Sequence, residues 1–122
     1  MELPVRVPTS SLRHRTETLA RQRDIGNPGG ESATLDSLGY VHHQLGDYRQ
    51  ALDCYEQALA LRTQLGRRCY ETATLDRIGD TRMAMGETDA ARQAWLRAPH
   101  IFTGPRHHHA APVDAKLGAL GG

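Results

Sequence analysis

The chain has 122 residues, room for one small domain, with 39% hydrophobic and 5% aromatic content. Its 15 basic and 14 acidic residues leave a net charge of +1, no electrostatic footing for nucleic acid or an anionic membrane. No apolar run approaches the roughly 18 residues of a membrane span, and the N-terminal MELPVRVPTSS lacks the apolar stretch of a signal peptide, so a cytoplasmic protein with no membrane contact is expected.

Residues 1–10 carry Pro4 and Pro8 without periodicity and read as an irregular arm. Ser10 or Ser11 can cap a helix running to about Ile25. Arg13, Arg15, Arg21 and Arg23 make this helix basic. Positions 13 and 15 point apart and Glu17 and Asp24 dilute the charge, so it reads as a solvated helix, not a phosphate-binding face. Asn27-Pro28-Gly29-Gly30 then reads as a break.

The next helix is expected from Ser32 to Leu45, with Leu35, Leu38, His42 and Leu45 on its packed face. Gly39 sits in its middle, where glycine costs about 1 kcal/mol against alanine. Such a glycine implies a helix–helix approach too close for a side chain. Gly46-Asp47 should end this helix and cap the next, from Tyr48 to about Leu65, which buries Ala51, Leu52, Tyr55, Ala58 and Leu59. The alanines admit a neighbouring helix and the ring fills the gap between pairs. Gly66 to Tyr70 reads as a linker, with Cys69 in it.

The chain then repeats itself. Glu71 minus Glu31, Gly79 minus Gly39 and Ala91 minus Ala51 each give an offset of 40. The second helix pair is expected over Glu71–Met85 and Glu87–Ala98, with Ala91, Trp95 and Ala98 matching Ala51, Tyr55 and Ala58. Pro99 stands where Leu59 stood and should stop the last helix near Ala98. The same offset places Leu12 on Leu52 and Ile25-Gly26 on Leu65-Gly66. Residues 11–30 thus read as the second half of a repeat with its linker, as in a piece of a longer array or a remnant of one. Residues 31–70 and 71–103 are the two full repeats, and 104–122 a loop followed by a short capping helix over 112–120.

The unit LGDYRQALDCYEQALAL resembles the second-helix pattern of the tetratricopeptide repeat (TPR) family. Its signature positions fall on Leu35, Leu38, Gly39, His42, Ala51, Tyr55 and Ala58, and again on Leu75, Ile78, Gly79, Arg82, Ala91, Trp95 and Ala98. His42 and Arg82 depart from the usual aromatic, and Thr63 and Thr103 stand where a proline often closes the unit. The resemblance implies an all-α fold, a short right-handed solenoid of antiparallel helix pairs with about 2.5 repeats. Longer helices and linkers would stretch the usual unit of roughly 34 residues. It further implies a non-catalytic protein–protein interaction module that takes a peptide or partner domain on its concave face. The stripe there would be Asp36, Tyr40, His43 and Gln44 on one helix and Asp76, Arg77, Asp80 and Met83 on the next. Open stack ends imply weak self-association. More narrowly, ATLDSLGYVHHQLGDY and TLDRIGDT resemble the C-terminal arrays of actinobacterial winged-helix transcriptional regulators, implying a sensor fragment. Neither the DNA-binding nor the ATPase part is in this chain, and no P-loop GxxxxGK[ST] occurs.

Other chemistry is thin. His42 and His43 point about 100° apart on a helix and do not chelate together readily. His107-His108-His109 lies in a proline-bounded loop with no matching ligand set, and Cys54 and Cys69 form no CxxC. There is no GxSxG, and Asp76 with Asp80 on an open superhelix lacks the enclosure that tunes a catalytic carboxylate. No enzyme activity, metal or cofactor is expected.

Overall fold

The computed structural model describes residues 9–98. They form five α-helices: α1 (Thr9–Asp24), α2 (Pro28–Gln44), α3 (Tyr48–Gln64), α4 (Arg68–Ala84) and α5 (Thr88–Arg97). Each packs on the next in chain order, and α2 also touches α4, which makes an all-α stack of helix pairs. The N-terminal arm up to residue 8, residues 99–103 and the 112–120 capping helix lie outside the described residues.

Four joints of one design connect the helices. Gly26, Gly46, Gly66 and Gly86 take φ of 68°, 81°, 68° and 79°, the left-handed conformation that only glycine enters without strain. The amide after each glycine bonds five residues back, as from Asp47 N–H to the His42 carbonyl at 2.8 Å. The glycine amide bonds three back, as from Gly46 to His43 at 3.0 Å. This pair of bonds is the Schellman closure, which satisfies carbonyls that the helix end orphans. The residue after the glycine is already the N-cap of the next helix.

The joints correct several expectations. α2 and α4 begin at Pro28 and Arg68, not at Ser32 and Glu71. Proline suits a first helical position because its missing N–H would be an orphan there, and Asn27 accepts the Gly30 amide at 3.0 Å. Cys69 therefore lies in the first turn of α4, not in a linker. The extra length of the repeat resides in helices of 17 residues, not in linkers. Asp47 occupies its N-cap position without a side-chain capping bond. Leu45, expected in the core, is 40% exposed, because it is the C-cap residue where the chain turns away.

The close approaches implied by Gly39 and Gly79 are present. A Cβ on Gly39 would lie 2.5 Å from Cε1 of Tyr55, and one on Gly79 would collide with the Trp95 indole. Each ring covers the backbone of the facing helix. Ala51, Ala58 and Ala91 are fully buried beside them. Trp95 Nε1 donates to the Asp76 carbonyl at 3.2 Å, so the buried indole N–H is satisfied. Leu52, Leu59, Leu75, Ile78 and Ala94 complete this core, while Leu19, Leu35, Leu38, Cys54 and Ala58 form a second cluster toward α1. At the far end Ala98 takes ψ of 129°, the extended conformation that a following proline imposes. The helix stops there, as expected.

Replacing Gly39 by alanine should destabilise the chain by about 1–3 kcal/mol in urea denaturation, although alanine is the better helix former. A neutral or stabilising effect would mean that the Tyr55 ring is not seated on Gly39. Tyr55→Ala or Trp95→Ala should cost roughly 3–5 kcal/mol. Burial raises the Tyr55 phenol and the Cys54 thiol above their ordinary values of 10.0 and 9.0. The unfolded chain then releases these protons first, so stability should be intact below the unfolded values and fall as pH rises through 9.0 and 10.0. Equal urea midpoints at pH 8 and pH 10.5 would contradict this burial.

Candidate functional site

A groove of about 260 Å³ opens between α2 and α4, with α3 as its floor. Tyr40, His43 and Gln44 line it from α2, and Asp76, Arg77 and Asp80 from α4. Tyr55 closes the bottom. On α2, positions 36, 40 and 43 share one face, and the three-residue joints bring α4 alongside that face. Six of the eight residues expected on the concave stripe meet in one lining.

The other two stand apart. Asp36 is buried beneath the groove. Its Oδ2 pairs with Arg77 Nη1 at 3.0 Å, and its Oδ1 lies 3.6 Å from Arg62 Nη1, an ionic contact too long for a hydrogen bond. Met83 is 39% exposed and outside the lining.

Arg62 escaped the sequence reading. It is 6% exposed, on the core face of α3, and ties three helices together. Its Nη1 donates to Thr74 Oγ1 at 2.5 Å and reaches the Tyr70 carbonyl at 3.4 Å on α4, while Asp36 faces it from α2. Its guanidinium also stacks over the Tyr70 ring at 5.1 Å. Burial lowers its pKa, and the neighbouring Asp36 opposes that shift. One signal was available. Position 62 lies i+7 from Tyr55 and i+4 from Ala58, on the stripe where an apolar residue is the rule.

Arg77 stands over the Tyr40 ring at 5.7 Å while Asp36 holds it from below. Arg77 is thus held by a buried carboxylate and shares the lining with Asp76 and Asp80. Tyr40 is 52% exposed and presents an aromatic face at the rim. His43 shares a hydrogen bond of 2.8 Å with Thr81 Oγ1 of α4 and meets the Tyr48 ring edge-on at 5.2 Å. His42 turns away, with Nδ1 3.9 Å from the Asp47 carboxylate. Among the described residues no cluster of three His, Cys, Asp or Glu side chains is gathered, and Cys54 and Cys69 are both free thiols. His107, His108 and His109 lie outside the described residues.

Comparison with known protein families matches residues 8–64 to the tetratricopeptide repeat. Over those residues the chain matches a tetratricopeptide repeat. The match spans α1, α2 and α3, and α4 with α5 carries the same signature 40 residues on, from Leu75 to Ala98. A comparison with curated proteins gives no match. TPR arrays are generally non-catalytic scaffolds for protein–protein interaction. Among the described residues no helix is long and apolar enough to cross a membrane.

Asp36→Ala should cost roughly 3–5 kcal/mol, because it strands Arg62 as a buried charge without its counter-ion. Chemical denaturation measures this. A loss below about 1 kcal/mol would place the pair with ordinary surface ion pairs.

Proposed function

We propose that the groove between α2 and α4 binds a basic segment of a protein partner. The observation that carries this reading is its lining, which gathers the Asp76 and Asp80 side chains and the Tyr40 ring around one groove. A lysine or arginine side chain from the partner meets two carboxylates there, with the Tyr40 face available for cation–π contact. His43 and Gln44 add hydrogen-bonding groups along the same wall. The groove is shallow, so it suits a side chain of an extended or helical peptide better than a whole small molecule.

The regulator-like phrases in α2 and α4 favour a regulatory setting for the same groove, in which it senses a partner on behalf of a DNA-binding switch protein. An enclosed catalytic pocket is not part of this reading.

Fluorescence anisotropy with labelled arginine-bearing and glutamate-bearing peptides tests it. The arginine peptide should bind and the glutamate peptide should not. The double substitution Asp76→Lys and Asp80→Lys should weaken the arginine peptide by about tenfold or more without loss of helicity. Tyr40→Ala should weaken it less. Unchanged affinity in the double variant would exclude these two carboxylates as the contact.

A further inference from the structure

One seven-residue phrase carries the packed face of each first helix of a pair. It reads Ala33-Thr34-Leu35-Asp36-Ser37-Leu38-Gly39 in α2 and Ala73-Thr74-Leu75-Asp76-Arg77-Ile78-Gly79 in α4. The sequence spells it a third time, as Ala115-Lys116-Leu117-Gly118-Ala119-Leu120-Gly121. The alanine, the two branched aliphatics and the final glycine keep their places. In α4 these aliphatics, Leu75 and Ile78, share a core cluster with Tyr55 of the preceding pair, and the glycine meets the Trp95 ring. The third copy therefore carries the residues by which a first helix sits on the pair before it. The spacing agrees. Ala73 minus Ala58 gives 15 residues and Ala115 minus Ala98 gives 17, so the connection is two residues longer than the one between α3 and α4. Pro112 suits the start of such a helix.

The seat is α5. Tyr55 is buried between Gly39 of its own pair and the cluster with Leu75 and Ile78 of the next. Trp95 takes the place of Tyr55 one repeat on and packs against Gly79 of its own pair. No described helix follows α5. Trp95 is nonetheless only 4% exposed, against 1% for Tyr55. A large indole at the bare end of a stack would show more of its surface to water.

We propose that residues 112–121 form the first helix of a third repeat, seated on α5 with Leu117 and Leu120 against Trp95, as Leu75 and Ile78 of α4 accompany Tyr55. The contact is apolar. Lys116 and Ala119 stand where Thr74 bonds Arg62 and Arg77 pairs with Asp36, so the buried polar set is not repeated. The concave face then runs on past Met83, which holds the place of His43 and stands outside the first groove. Gly118 and Ala119 come opposite it in place of Asp76 and Arg77, so the extension is apolar where the first groove is charged. The seat does not depend on what the first groove binds.

Trp95 is the single tryptophan of the chain, so its emission reports the seat in the full chain. Leu117→Asp with Leu120→Asp should move that emission to longer wavelength and increase its quenching by acrylamide, while far-ultraviolet circular dichroism keeps the signal of α1 to α5. Ala115→Asp, at the place of the exposed Ala33, should change neither. In the unaltered chain, nuclear Overhauser contacts are expected between the Leu117 and Leu120 methyls and the Trp95 indole, and these decide the matter even where the double variant unfolds. Absence of those contacts overturns the proposal, as does unchanged emission in a folded double variant. So do contacts seen only between differently labelled chains, which would mean that a second copy fills the seat.

Discussion

The stack depends on one contact made twice, an aromatic ring packed against a glycine of the facing helix. Gly39 under Tyr55 and Gly79 under Trp95 bring the helices of each pair closer than any side chain would allow. Dispersion across that contact is dense, because ring and backbone touch with no intervening gap. The helix propensity lost at each glycine is small beside the burial of an aromatic side chain. The alanines at 51, 58 and 91 follow from the same constraint, since larger residues there would lift the ring away.

The two pairs are joined differently. Within a pair the contacts are apolar, while the step from one pair to the next adds a polar set, Asp36, Arg62, Thr74 and Arg77, to the apolar core that the pairs share. A buried polar joint is directional in a way that hydrocarbon contact is not. Arg62 holds α2 and α4 at a defined spacing from α3, and the groove between α2 and α4 inherits its width from that spacing. Arg77 belongs to both systems, as it braces the joint through Asp36 and lines the groove beside Asp76 and Asp80.

Much of this was legible in the sequence because it occurs twice. Gly39 with Tyr55 recurs as Gly79 with Trp95, and the recurrence marks both as packing residues. The groove lining came instead from the resemblance, which places Tyr40 and His43 on one concave helix face and Asp76 and Asp80 on the next. Arg62 was not legible, because its partners lie on other helices and only the assembled stack brings them together. Asp36 was misjudged for the same reason: its helical position is that of a groove residue, but two arginines draw it beneath the surface. Pro28-Gly29-Gly30 reads as a break under local rules, yet proline at a first helical position and a glycine at 30, packed against Asn27 and Gln22, are compatible with helix.

The joints at Gly26, Gly46, Gly66 and Gly86 leave no slack, since the residue that closes one helix also opens the next. Inserting or deleting one residue inside a helix turns everything beyond it by about 100° and shifts it by about 1.5 Å along the axis. No loop in the described stack can absorb that displacement. Length changes in such an architecture are therefore quantised. The array can gain or lose whole helix pairs by duplication or excision, while single-residue indels between Pro28 and Ala84 would put the glycines out of phase with their rings.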